Sequence, residues 1–158
     1  MLGFLLIGFS LVAVTVSIHA TGTSFGMRTM LRRYAGHDGE WRSSQLWRVY
    51  LWTAVTLLGL HFMEICVWAL AYLWLPAVEG LEKAVYFSLV TFTTLGYGDI
   101  TLMPGPRVMS GIEAMNGILL FGWSTALFFA VVQRSWSLKH GGKQRARDEH
   151  SGAASASH

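Results

Sequence analysis

The sequence predicts an all-α membrane protein with three transmembrane helices and one short re-entrant segment between the second and the third. Three observations carry this prediction. Of the 158 residues, 53% are hydrophobic and only 13% are charged, whereas soluble domains are about a quarter charged. The mean hydropathy is +0.42. Three apolar runs each exceed the ~20 residues a bilayer crossing requires, and between the last two lies the stretch TTLGYGDI at 93–100. That stretch is too glycine-rich for a stable helix. Hydrocarbon has no partners for free N–H and C=O groups, so its backbone must face protein or water rather than lipid.

Residues 1–27 contain no Asp, Glu, Lys or Arg and form the first span. A cleaved signal peptide is the competing reading. The stretch lacks a basic start, however, and Ile18 sits where cleavage after Ala20 would require a small residue, so a retained helix is favoured. Residues 28–46 read as a basic connector, with Arg28, Arg32, Arg33 and Arg42 in it and Arg48 just beyond. Gly36, Asp38 and Gly39 mark a turn, and Ser43 or Ser44 is placed to cap the next helix. The second apolar run, 46–75, ends at Pro76 and is long enough to tilt. Residues 83–92 are apolar but too short to cross and read as a re-entrant half-helix. A turn at Met103, Pro104, Gly105 and Pro106 precedes the last run, 108–136. The polar, small-residue-rich tail 137–158 is expected to be disordered.

The order is apolar helix, half-helix, Thr94-Leu95-Gly96-Tyr97-Gly98-Asp99, apolar helix. In that setting the six-residue run resembles the selectivity filter of the potassium channel family, and residues 47–136 resemble that family's pore module. The resemblance implies that backbone carbonyls of Thr94, Leu95, Gly96 and Tyr97 replace the water of a permeating K⁺. Gly96 and Gly98 would permit the positive φ this requires. It also implies a homotetramer, because one chain carries one filter strand and four are needed to enclose an ion. Tyr86 and Phe87 resemble the aromatic cuff that supports the filter, with Asp99 following it. Val90 stands where some relatives carry a glutamate that pairs with this aspartate, so Asp99 needs another partner or faces water. Leu95 replaces the more usual valine or isoleucine. No organic cofactor is implied.

The last apolar run resembles the inner, pore-lining helix. Ile118, Phe121, Thr125 and Phe129 share a face by i, i+3 and i+4 spacing and are assigned to the cavity. Gly117 is either a gating hinge or a close-packing residue. Of the 12 lysines and arginines, only Lys83 and Arg107 fall outside the connector, its flank and the C-terminal end. That asymmetry places the connector and the C-terminus in the cytoplasm of a multi-pass cell-membrane protein. The same cations could meet anionic lipid, although topology alone explains them. No nucleic-acid motif accompanies them. Residues 1–27 hold no fixed charge with which to sense voltage.

No catalytic constellation is evident, so an enzyme is not expected. His61 and Glu64 invite a metal or acid–base reading, but the sequence offers no convincing third ligand. Ionisable residues within spans are costly and face protein or water. By depth and face, His61, Glu64, Glu113 and Asn116 are expected to form one polar cluster behind the filter. The function expected is a potassium-selective channel. The alternatives are a less selective cation channel and a non-conducting modulatory membrane subunit.

Overall fold

The computed structural model describes the backbone of residues 1–34 and 46–155, and side chains as far as Trp136. The described chain is all-helical. It comprises α1 (Leu2–Tyr34), α2 (Leu46–Trp74), α3 (Leu81–Phe92) and α4 (Arg107–Ser155). Three segments are long and apolar enough to cross a membrane: Leu2–Arg33, Leu46–Trp74 and Arg107–Trp136. At 1.5 Å per residue each spans roughly 45 Å, more than the ~30 Å hydrocarbon core, whereas the 12 residues of α3 reach only ~18 Å.

Two boundaries differ from those the sequence predicts. The first helix does not stop at residue 27 but continues through Arg28, Arg32 and Arg33 to Tyr34. Adding residues to an existing helix is far easier than nucleating one, and Met, Leu and Arg are good helix formers. The expected turn at Gly36, Asp38 and Gly39 and the caps at Ser43 or Ser44 lie outside the described residues. At the other end the tail was expected to be disordered from residue 137, but α4 continues to Ser155. Its last stretch includes Lys143, Gln144, Arg145, Ala146 and Arg147, which favour helix once one is running.

The packing has two centres. Around α3, the rings of Trp68, Tyr72, Phe87 and Phe92 pack with Met109, Ile112 and Leu120. Toward the far end, Met30, Val49 and Val131 join α1, α2 and α4. The buried positions of α1 are Gly8, Thr15, His19, Thr23, Gly26 and Met30, one face of a helix by their spacing of three, four or seven. All but His19 and Met30 are small, as expected where helices approach closely without a hydrophobic driving force between them. A Cβ on Gly22, on the same side, would meet the side chain of Leu60.

Candidate functional site

Helix α3 and the chain that follows it form one unit. The amide of Thr93 donates to Leu89 O, that of Thr94 to Thr91 O, and those of Leu95 and Gly96 both to Val90 O. These bonds use the free carbonyls that every helix end leaves, and they tie the strand to the helix C-terminus, the partially negative end of its dipole. Beyond that point φ is positive at Thr94 (59°), Gly96 (55°) and Gly98 (78°), while Leu95 and Tyr97 are not among the positive-φ residues. The sign of φ therefore alternates residue by residue. Alternation of this kind turns successive peptide planes so that like groups share a side. Glycine adopts the left-handed region freely, whereas Thr94 does so at a cost of ~1–2 kcal/mol.

The strand borders a cleft of about 430 Å³ whose lining includes Tyr86, Thr91, Thr94, Gly98, Asp99 and Arg107. Asp99 has a partner the sequence did not name: the Tyr86 hydroxyl donates to its Oδ2 at 2.7 Å. This bond to an anionic acceptor holds the phenol proton and pushes the Tyr86 hydroxyl above its ordinary range. Phe87 lines the same cleft as Tyr86. It is 7% exposed and packs edge-on against Tyr72 at 5.1 Å between centroids. Leu95 and Tyr97 are exposed in the single chain. So are Ile118, Phe121, Thr125 and Phe129, which lie together on the side of α4 that its own helices leave uncovered. Gly117, one turn before Phe121 on the same helix, is buried. A Cβ there would collide with the backbone carbonyl oxygen of Phe92, so this glycine lets α4 lie directly against the end of α3.

His61, Glu64, Glu113 and Asn116 are all buried, but they form three hydrogen-bonded groups rather than one cluster. Glu113, on α4, accepts from the hydroxyls of Tyr72 at 2.7 Å and Ser88, and so links α2, α3 and α4. Asn116 donates through Nδ2 to Thr15 Oγ1 at 2.8 Å, which pairs α4 with α1. Glu64 and His61 belong to a third group with His19 of α1 and Ser124 of α4. His19 Nδ1 lies 2.8 Å from Glu64 Oε1, and His61 Nδ1 lies 3.1 Å from Glu64 Oε2. The two Nε2 atoms meet Ser124 Oγ at 3.2 Å and 3.0 Å. The four side chains thus close a ring across three helices.

This ring corrects the sequence reading that His61 and Glu64 lack a third partner. His19 and Ser124 were missed because nothing in sequence relates them to residues 45 and 63 positions away. The one available signal was a histidine within the run 1–27, which has no other ionisable side chain. Aromatic rings connect this group to the strand: His61 lies 4.4 Å from Phe121, and Phe121 lies 5.7 Å from Phe92, the last residue of α3.

Comparison with known proteins bears on the same segment. The family model described as "Ion channel" matches residues 60–134, which begin within α2, include α3 and the strand, and end within α4. No curated protein matches the chain, and no solved structure does. Helix α1 lies outside the matched segment.

Proposed function

We propose that this chain, whose residues 60–134 match the ion channel family model and whose three apolar helices make it a multi-pass membrane protein, is a potassium-selective channel conducting passively through a homotetrameric pore. The observation that carries this reading is the alternation of φ along Thr94, Leu95, Gly96, Tyr97 and Gly98, directly after a helix whose C-terminus points into the strand. In the proposed pore, α3 is a re-entrant half-helix and the strand is the selectivity filter. The carbonyls of Thr94, Leu95, Gly96 and Tyr97 form rings that stand in for the water shell of K⁺, the permeant ion. The Tyr86–Asp99 bond braces the outer end of each filter strand.

The surfaces the single chain leaves open support this reading. Ile118, Phe121, Thr125 and Phe129 line the inner cavity, and the exposed Tyr97 ring packs against a neighbouring copy. A filter facing outward puts the C-terminus in the cytoplasm, consistent with the basic residues near the ends of α1 and α4. Anionic lipid at that surface is a further expected partner. Gly117 is the position about which α4 would bend in gating.

Flux measured from purified protein in liposomes, with K⁺ or Na⁺ gradients, tests the proposal. Potassium flux well above sodium flux is expected. Equal fluxes would favour a less selective cation channel, for which Leu95 is the motivating departure. No flux from assembled tetramers would favour a non-conducting subunit. The Gly98→Ala variant ties the flux to the strand. A Cβ there has open space around it but a φ of +78° to accommodate, at ~1–2 kcal/mol per chain. Conduction should be abolished while assembly is retained. Unchanged selectivity in this variant would refute the filter assignment.

A further inference from the structure

The ring formed by His19, His61, Glu64 and Ser124 lies partly outside the matched segment, because His19 belongs to α1. Its chemistry is not that of ion conduction by backbone carbonyls. We propose that His19, His61 and Glu64 form a binding site for a divalent transition-metal ion of the zinc type, with Ser124 orienting the two imidazoles. One ligand atom from each of the three residues lies within 4.8 Å of the others, and all three residues are buried.

Three features of the ring point to this ligand class. The first is the donor set. Two imidazole nitrogens and one carboxylate suit zinc and its neighbours, whereas calcium and magnesium prefer oxygen alone. The second is the spacing. His19 Nδ1 and His61 Nδ1 approach the two oxygens of one carboxylate at 2.8 and 3.1 Å. Tetrahedral ligands at ~2.0 Å from zinc are separated by about 3.3 Å, so both histidine–carboxylate contacts are already at ligand spacing, and the set of three, which spans up to 4.8 Å, would close by at most about 1.5 Å around the ion.

The third feature is the outer contact. A histidine that ligates through one nitrogen normally donates its other N–H to a fixed acceptor, which sets its tautomer and orientation. Here both Nε2 atoms face the same Ser124 oxygen, at 3.2 and 3.0 Å. A hydroxyl oxygen has two lone pairs and accepts both N–H groups. With Nδ1 on the metal and Nε2–H on Ser124, each imidazole satisfies both of its nitrogens.

The consequence is mechanical. A bound ion would clamp α1 to α2 directly and to α4 through Ser124. It would act next to Phe121, whose ring is 4.4 Å from that of His61.

The test measures metal on the full chain and does not depend on whether the protein conducts. Purified protein is equilibrated with Zn²⁺, or with Ca²⁺ as a control, dialysed and assayed for metal, alongside His19→Asn, His61→Asn and Glu64→Gln. His37, His140, His150 and His158 are common to all variants, so only the difference reads this site. Wild type should retain about one zinc per chain more than each variant, and its unfolding midpoint should rise with Zn²⁺ and not with Ca²⁺. Equal zinc content in wild type and all three variants would overturn the proposal. If the variants do not fold, zinc-edge X-ray absorption on wild type decides the question. Two imidazoles plus carboxylate oxygen around the ion support the site, and any other first shell rejects it.

Discussion

Glycines bring helices together at several places in this molecule, and two of those interfaces differ in what the glycine touches. Where α1 meets α2, a Cβ at Gly22 would strike the end of the Leu60 side chain. Where α4 meets α3, a Cβ at Gly117 would strike the Phe92 backbone carbonyl. A leucine side chain can change rotamer at a cost of ~0.5–1.5 kcal/mol. A carbonyl at the end of a helix cannot move without moving the helix and the strand tied to it. Each interface also has a buried acid. Glu64 is held by two imidazoles, one from α1, and Glu113 by two hydroxyls from α2 and α3. Within the matched segment α4 therefore meets the end of α3 through backbone contact, whereas the extra helix meets α2 through side chains.

The largest effect should come from Gly117→Ala. The overlap with Phe92 must be relieved by shifting α3, so a loss of stability at or above the ~1–3 kcal/mol usual for overpacking is expected. Ion flux from liposomes should fall with it. A stable, conducting Gly117→Ala protein would show that α3 and α4 are not in backbone contact. Glu113→Ala should come next. It leaves the Tyr72 hydroxyl buried without its acceptor, which costs about 1–3 kcal/mol, while Ser88 can give its one proton to Ile65 O instead. Glu113→Gln retains one acceptor oxygen and should recover part of that loss in chemical denaturation.

Gly22→Ala is expected to cost about 1 kcal/mol or less, because Leu60 can rotate away, and to leave ion selectivity unchanged. If it matched Gly117→Ala in denaturation midpoint, the distinction between the two interfaces would fail. The smallest effect on stability belongs to Tyr86→Phe. Its bond to Asp99 is exposed, so unfolding should shift by less than about 0.5 kcal/mol. Any effect should instead appear in the duration of conduction, which single-channel recording would resolve. A large loss of stability would mean that Tyr86 supports the fold and not the strand.

How much was legible in the sequence follows from how far apart the interacting residues lie. Three long apolar runs and a fourth too short to cross were readable because hydropathy and length act locally. The strand after α3 was readable because its glycines and threonine are contiguous, and positive φ recurs there at Thr94, Gly96 and Gly98. The common face of Ile118, Phe121, Thr125 and Phe129 followed from helical spacing. Helix ends were less legible: α1 and α4 both run further than composition indicated, since continuing a helix is cheap once it has formed.

Which polar side chains meet was decided by tertiary structure alone. His61, Glu64, Glu113 and Asn116 were rightly suspected of seeking partners, because lipid offers them none. Depth along a span, however, does not reveal which neighbouring helix supplies the partner. That depends on the rotation of each helix about its axis and on where small residues let helices approach. Thr15 and Gly22 lie on the side of α1 that brings His19 to Glu64, and Gly117 lets α4 settle against α3 with Glu113 facing Tyr72 and Ser88. The sequence by itself determined that the chain crosses the membrane, where its backbone leaves the helix, and which residues cannot face lipid. The tertiary structure decided how those residues are shared among helices, because a hydrogen bond is directional and short, and only the packed arrangement brings donor and acceptor within about 3 Å.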